Sequence, residues 1–208
     1  TGVQTCALPI LIDGAIYCEP RLKEIINEYK PDVIIEDNVV CFPATVTAGV
    51  PFVRIVSCNP LEIMGDKIAP PFSGLAENDP ESWKSYLKAY EGTQRPMWEK
   101  FNDWVISQGA PALDDLDFIH TSKDLNLYVY PQELDYTDKR PLGSNWHRID
   151  SSVRSTDKSF DLPSEIANRP SDSKLIYLSL GSLGSADVEL MKRLVGILGK
   201  TKHKFIVS

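Results

Sequence analysis

No apolar run in this sequence of 208 residues approaches the roughly 20 consecutive residues that are needed to span a bilayer. Basic residues are also in deficit: 22 Lys and Arg stand against 29 Asp and Glu, so the formal net charge is -7. They cluster only at residues 200–204, where cations suit the end of a helix. The sequence therefore predicts no membrane-spanning helix within the chain and no phosphate-binding surface for nucleic acid.

Cysteine and histidine are scarce and are not arranged as metal ligands. Four cysteines are present without a Cys-x-x-Cys pair, and the three histidines lack ligand spacing. We predict no metal site, and we interpret the cysteines as small buried side chains in a reducing compartment rather than as disulfides. They are Cys6, Cys18, Cys41 and Cys58.

Both ends of the chain have unusual features. Residues 1–10 resemble the translation of a sequencing adaptor, so we set them aside as a non-native segment. The native reading frame is expected to begin near Leu11, without an initiator Met or a signal peptide. Residues 205–208 end within an apolar run that is typical of a strand. We therefore expect the chain to be an internal piece of a longer protein.

The first half of the chain alternates helical patterns with short apolar runs. We predict a helix over residues 11–30 with a kink or break at Pro20, because proline removes a helical hydrogen bond. Its apolar stripe comprises Leu22, Ile25, Ile26 and Tyr29. Further predicted elements are strands at 33–35, 52–56 and 125–130, a short helix at 42–48, and helix from residue 81, with apolar residues at helical spacing on both sides of Pro96. Alternating strands and helices are typical of an α/β fold with a parallel sheet.

A polar segment separates this part from a second α/β pattern. Residues 144–174 have the composition of a linker between domains. They are followed by a predicted strand at 175–180, a turn of small residues at 181–185, a helix at 186–200 and the start of another strand at 204. This predicts two domains: residues 11–143, and a second domain that begins at 175–208.

Two positions in these patterns are candidates for chemistry. Asp37 directly follows the first strand, where a carboxylate can face a cleft, although Asp also caps short turns. Gly181 and Ser182 lie between a strand and a helix, where backbone N–H groups can bind an anion. The turn has neither the phosphate-loop pattern nor the dinucleotide fingerprint, so an ordinary tight turn is the alternative.

Two segments resemble the UDP-dependent glycosyltransferases, the group that includes UDP-glucuronosyltransferases and plant and macrolide glycosyltransferases. Leu-Ile-Tyr-Leu-Ser-Leu-Gly-Ser at 175–182 is similar to the start of their donor domain. Pro-Asp-Val-Ile-Ile-Glu-Asp at 31–37, followed by Ala-Gly-Val-Pro-Phe at 48–52, is similar to their acceptor domain. The resemblance covers nearly all of residues 11–208, and the 175–182 segment is its more specific part.

The resemblance implies a fold and an activity. The fold is α/β, with two Rossmann-like domains facing a cleft (the GT-B type), the first incomplete and the second only begun. The activity is transfer, with inversion, of a hexosyl or hexuronosyl group from a UDP-sugar to a hydroxyl of a small apolar acceptor. Asp37 would orient a catalytic histidine that precedes this chain, and Gly181 and Ser182 would contact the donor diphosphate. Neither a metal nor a cofactor is implied, since the UDP-sugar is a co-substrate.

Several alternatives remain beside this interpretation. Glu36 competes with Asp37 for the catalytic role, and residues 57–80 form a candidate acceptor loop. The aromatic residues at helical spacing favour a plain core over an acceptor pocket; they are Trp83, Tyr86, Trp98, Phe101 and Trp104. The histidines are interpreted as surface or structural residues: His120, His147 and His203. A sugar-nucleotide 2-epimerase of the same shape and a two-lobed solute-binding protein are the rival functions. For a bacterial protein we expect a cytoplasmic location.

Overall fold

The computed structural model describes residues 2–150, 155 and 161–208, without the side chains of residues 2–7, 182 and 183. The chain forms two compact units, Thr1–Val153 and Arg154–Ser208. The helices of the first unit are α1 (Gly2–Tyr29), α2 (Pro43–Val46) and α3 (Pro80–Ser107), and its strands are β1 (Ile34–Asp37), β2 (Phe52–Val56), β3 (Leu125–Tyr128) and β4 (Trp146–Arg148). The second unit contains α4 (Ser164–Ala167), β5 (Leu175–Leu178), α5 (Gly181–Ser185), α6 (Val188–Leu198) and β6 (Lys204–Val207).

The first unit is built on a four-stranded parallel sheet. Its strands lie side by side in chain order, β1-β2-β3-β4, and each neighbouring pair is parallel. The mixed α/β architecture with a parallel sheet is therefore as expected from the sequence. Because all four strands run in the same direction, their carboxyl ends meet at one edge of the sheet, which is where α/β proteins place their ligands.

Helices α1 and α3 are continuous, so the possible division of α1 at Pro20 does not occur. Both prolines lie inside their helices. A proline in a helix removes one hydrogen bond from the ladder, and packing on both sides of it can hold the helix together.

Helix α3 begins with an Asp79 cap that accepts a hydrogen bond from the Ser82 N–H at 3.2 Å. In the described part of the chain no helix is long and apolar enough to cross a membrane.

The main core of the first unit lies between α1, α3 and the segment after β1. Helix α1 contributes Ile12 and Ala15, and α3 contributes Phe101 and Val105. The predicted α1 stripe is wrong at Ile25 and Tyr29, which are 36% and 73% exposed. Of the α3 aromatics, Phe101, Trp98 and Trp104 pack in or against this core, so the plain-core interpretation is right for these three.

Strand β4 is an element that sequence composition did not indicate. Its three residues are Trp, His and Arg, and they lie within the polar segment that begins at residue 144. The strand is held because Trp146 packs against a second apolar cluster that includes Val56, Ile63 and Tyr128. A single large aromatic residue therefore fixes an otherwise polar strand at the edge of the sheet.

The second unit contains a parallel pair of strands, β5 and β6, with helices α5 and α6 between them in the chain. The small-residue segment predicted as a turn forms the short helix α5, and Gly181 at its start has a φ of 66°. The N-cap of α6 is Asp187, whose side chain accepts a hydrogen bond from the Leu190 N–H at 2.9 Å. Ser185, which directly precedes the predicted helix at 186–200, is the last residue of α5.

Candidate functional site

Asp37 is the last residue of β1, so it lies at the carboxyl edge of the parallel sheet. Its side chain is exposed. The Ser57 hydroxyl lies 2.7 Å from Oδ1 and 2.9 Å from Oδ2 of Asp37. Ser57 directly follows β2, the neighbouring strand, so the two strand ends are joined through this pair. Asp37 is thus an accessible carboxylate that accepts hydrogen bonds from Ser57, and its catalytic role stays a prediction.

Three further polar side chains surround this edge: Cys58, Glu62 and Tyr130. Partial desolvation raises the pKa of the Cys58 thiol, although the residue is exposed, and the negative charges of Glu62 and Asp37 raise it further. Burial also raises the pKa of the Tyr130 hydroxyl, with added effects of Glu62, Cys58 and Asp37. Both groups are therefore held in their neutral forms beside Asp37. The edge can supply the exposed Ser57 hydroxyl and Cys58 thiol for hydrogen bonding, together with the exposed Asp37 carboxylate, whereas the Tyr130 oxygen is buried.

Glu36 lies on the opposite face of β1 from Asp37, because successive residues of a strand point to opposite sides. It belongs to a buried polar row that crosses the sheet, in register with Arg54 on β2 and Asn126 on β3. The Thr45 hydroxyl donates a hydrogen bond to Glu36 Oε2 at 2.7 Å. Glu36 is only 9% exposed, so a substrate at the carboxyl edge cannot reach it as it reaches Asp37.

The environment of Glu36 changes its acidity. Burial raises its pKa to about 7, against the smaller lowering effects of the Thr45 hydrogen bond and of the Arg54 charge. The charge of the buried Glu19 raises this pKa further. Lys23 Nζ lies 3.5 Å from Glu19 Oε1, yet neither Glu19 oxygen has a hydrogen bond of normal geometry. A pKa near neutrality suits a general base, but the burial of Glu36 indicates a structural group.

Arg54 is the central cation of this region. Its guanidinium lies 3.5 Å from Glu62 Oε1 and 3.4 Å from the Thr121 hydroxyl. Its charge also lowers the pKa of Asp117, a carboxyl whose pKa is raised overall by burial. Arg54 is 2% exposed, so its charge is offset by the surrounding carboxylates rather than by water. It therefore links the sheet to the loops at its carboxyl edge.

His120 has a structural role beside Cys41. Its Nε2 lies 2.9 Å from the Pro111 carbonyl oxygen, and its Nδ1 lies 3.1 Å from Cys41 Sγ. Because a carbonyl can only accept, Nε2 donates, and Nδ1 of the neutral ring then accepts the S–H of Cys41. Burial raises the pKa of this thiol, and the charges of Glu36 and Glu19 raise it further. The pair therefore forms a neutral hydrogen bond in the core and not an activated nucleophile.

The remaining histidines and cysteines are also accounted for by their surroundings. His147 is exposed on β4, and His203 Nδ1 accepts a hydrogen bond from the Lys174 N–H at 3.2 Å. Cys18, Cys41 and Cys58 are free thiols, of which Cys41 alone is buried; Cys6 lies among the side chains that are not described. Within the described residues, no three His, Cys, Asp or Glu side chains are grouped to hold a metal ion.

Gly181 and Ser182 lie in the second unit. Gly181 lies three residues beyond the end of β5, and a Cβ added to it would meet nothing within 4 Å. Its backbone N–H lies 3.4 Å from the Ser179 hydroxyl, which is a long contact for a hydrogen bond. The Ser182 side chain lies outside the described residues. The diphosphate role of these two positions stays a prediction.

Sequence reasoning missed Ser57, which it included only in the candidate acceptor loop. Its position follows from the register of β1 and β2, which a single sequence does not contain. Asp37 pairs with Ile55, and Ser57 is two residues further along the neighbouring strand, so its side chain returns to the same face. A hydroxyl residue two positions beyond the partner of a strand-end carboxylate is thus within reach of that carboxylate.

Comparison with known proteins finds little. No family model matches the chain, and no curated protein matches it. Among solved structures, the chain is similar to spinosyn forosaminyltransferase SpnP, with 15% sequence identity and a TM-score of 0.40 over 89% of this chain. The chain spans 45% of the length of that structure. A likeness at this identity and TM-score supports no argument about activity.

Proposed function

We propose that the protein containing this chain is a glycosyltransferase. It moves a hexosyl or hexuronosyl group from a UDP-sugar to a hydroxyl of a small apolar acceptor, with inversion at the anomeric carbon. The support from sequence is the resemblance of residues 31–52 and 175–182 to UDP-dependent glycosyltransferases. The structural observation that carries the proposal is an exposed Asp37 carboxylate at the carboxyl edge of a parallel sheet, held by Ser57.

In this proposal, Asp37 acts on a histidine supplied by another part of the protein. The carboxylate accepts an N–H of the imidazole, fixes its orientation and stabilises the positive charge that the ring acquires. The other ring nitrogen removes the proton from the acceptor hydroxyl. The acceptor oxygen then attacks the anomeric carbon from the side opposite the leaving group, and the bond between this carbon and the diphosphate oxygen breaks. One displacement of this kind inverts the configuration and releases UDP.

The leaving diphosphate is assigned to Gly181 and Ser182. Backbone N–H groups after a strand can donate to phosphate oxygens, and a serine hydroxyl can add one charge-assisted hydrogen bond. The open space beside Gly181 would leave room for a phosphate near the backbone. These donors offset the charge that develops as UDP departs, so the proposal includes neither a metal nor a cofactor.

Replacing Asp37 by Asn in the full-length protein tests the proposal. We expect kcat to fall at least about tenfold with KM nearly unchanged, because Asn keeps the shape but loses the charge that supports the imidazolium. The measurement is UDP release with a panel of UDP-sugars and phenolic or macrolide acceptors. Asp79→Asn is the matched control, since Asn also caps helices and Asp79 is the exposed cap of α3. An unchanged kcat for Asp37→Asn, with an unchanged melting temperature, contradicts the catalytic role of Asp37.

A further inference from the structure

The two hydrogen bonds between Ser57 and Asp37 give the proposed site a second functional residue. We propose that Ser57 is a positioning residue, which fixes the carboxylate of Asp37 in the orientation that a catalytic imidazole requires. This inference rests on the proposed function, because it assigns Ser57 a role through Asp37. Ser57 itself is not assigned to contact the donor or the acceptor.

The position of Ser57 follows from the register of the sheet. Asp37 is paired with Ile55, so the side chain of Ser57 returns to the Asp37 face immediately beyond the end of β2. The Val129 N–H donates to the Val56 carbonyl at 3.2 Å, so the backbone next to Ser57 is held on its other side by the chain that follows β3. Ser57 thus presents its hydroxyl from a backbone that is anchored in the sheet.

The hydrogen-bond geometry restrains the carboxylate as a whole. The Ser57 oxygen lies at nearly equal distances from the two carboxylate oxygens, 2.7 and 2.9 Å, so its one proton is shared between them. A donor that lies between the two oxygens restrains the rotation of the carboxylate about its Cβ–Cγ bond. Since Asp37 is exposed at the end of its strand, this restraint is not supplied by packing.

The choice of a hydroxyl also preserves the charge of the carboxylate. Ser57 is neutral, so it brings no positive charge that would offset the carboxylate of Asp37. A Lys or Arg in its place would form an ion pair and offset that charge. Arg54, the buried cation nearby, lies against Glu62, at 3.5 Å. Within the part of the chain that the structure describes, the side-chain donor to Asp37 is Ser57.

Four variants of the full-length protein test this inference. Ser57→Ala removes the hydroxyl, and we expect kcat to fall about tenfold with little change in KM, as for the loss of a hydrogen bond to a charged group. Ser57→Thr keeps the hydroxyl, so it should restore kcat to within about twofold of the wild-type value. Asp37→Asn and the double variant Ser57→Ala/Asp37→Asn complete a cycle. Once the carboxylate is gone, removal of the hydroxyl should cost almost nothing further in kcat.

A matched control is available in the same chain. Ser82 donates its hydroxyl to Asp79 Oδ2 at 2.5 Å, and this pair is also exposed. Ser82→Ala therefore removes a bond of the same chemistry away from the proposed site, and it should leave kcat unchanged. Thermal unfolding of each variant shows whether any loss of kcat comes instead from loss of the fold.

The outcomes separate the positioning role from the proposed function. If Asp37→Asn lowers kcat and Ser57→Ala does not, the positioning role is wrong while the glycosyltransferase proposal stands. Additive losses of kcat in the double variant also overturn the positioning role, because they show that Ser57 acts independently of Asp37. If Asp37→Asn itself leaves kcat unchanged, the catalytic role of Asp37 is wrong, and the positioning role of Ser57 is wrong with it. A drop in stability of Ser57→Ala without a fall in kcat identifies a structural bond only.

Discussion

Several carboxyl groups of the first unit, Glu36 among them, have a raised pKa. Burial is the largest cause of the raised pKa at Glu19, Glu36, Glu62 and Asp117. The cations that act on them are Arg54 and Lys23, and they offset the desolvation only in part. A carboxyl with a raised pKa binds its proton more tightly in the folded than in the unfolded chain, so it opposes folding once it must ionise.

The raised pKa of Glu36 predicts that the stability of the protein depends on pH. This pKa is about 7 in the folded protein against 4.5 for the ordinary group. Below pH 4.5 both states are protonated and Glu36 costs nothing, whereas above pH 7 the full cost of ionisation is present. The free energy of unfolding should therefore fall as the pH rises from 4.5 to 7. Glu36→Gln should remove a cost on the order of 3 kcal/mol at pH 8 and leave stability almost unchanged at pH 4.

Urea unfolding at a series of pH values measures this effect. Glu99→Gln is the control, because Glu99 is exposed on α3 and its replacement should leave the pH profile of stability as it was. Part of the wild-type slope should survive in Glu36→Gln, since Glu19, Glu62 and Asp117 act in the same direction. A Glu36→Gln profile parallel to that of the wild type would show that Glu36 does not titrate in this range.

Individual elements show which parts of the fold are readable from sequence. Strand β2 has the bounds that were predicted, because its apolar run follows Pro51 directly and is buried along most of its length. Strand β4 was not predicted, because two of its three residues are polar and its stability comes from the contacts of Trp146 with distant residues. Local patterns identify an element where its own side chains bury it, and fail where one long-range contact does so.

The prolines show the converse case. A division of α1 at Pro20 was considered from local propensity alone, yet the helix is continuous there. Helix α3 likewise continues through Pro96, with Trp83 before it and Phe101 after it, both buried. In the candidate site, local sequence identifies one residue and misses the other. Asp37 could be selected from its position at the end of an apolar run, but Ser57 required the register between two strands, which a single sequence does not contain.

At the start of α5 and in the middle of α6, two glycines provide a matched pair for a prediction about backbone conformation. Gly181 has a φ of 66°, and Gly196 lies within α6; a Cβ added at either position meets nothing within 4 Å. Gly181→Ala should lower stability by about 1 kcal/mol, because the left-handed region is costly for residues with a Cβ. Gly196→Ala should raise stability by about 0.5 to 1 kcal/mol, because alanine is the better helix former.

Hydrogen–deuterium exchange of the amides of β5 and β6 is a suitable measurement, since it reports on the second unit alone. Exchange should become faster in Gly181→Ala and slower in Gly196→Ala. Because neither added methyl group meets a neighbour, a difference in packing cannot account for opposite signs. Equal effects at the two sites would indicate that Gly181 does not keep its left-handed conformation in solution.

At the scale of the whole molecule, apolar burial is divided unequally between the two units. Among the described residues, every buried apolar side chain belongs to Thr1–Val153, which contains two hydrophobic clusters and a four-stranded sheet. The described part of Arg154–Ser208 has a two-stranded sheet, and several of its large apolar side chains are exposed, including Tyr177 at 66% and Ile197 at 55%. Conformational entropy must be offset by burial, so the two units should differ in autonomous stability.

We therefore predict that residues 1–153 fold when they are expressed alone and that residues 154–208 do not. All four tryptophans lie in the first segment, so its unfolding in urea can be followed by fluorescence, with the full-length chain as the reference. The midpoint for residues 1–153 should agree with that of the full-length chain, because the same clusters unfold in both. Residues 154–208 should give a poorly dispersed amide NMR spectrum, since two strands with little buried apolar surface are marginal in water. A well-dispersed spectrum for residues 154–208, or a non-cooperative transition for residues 1–153, would contradict this assignment of stability to the first unit.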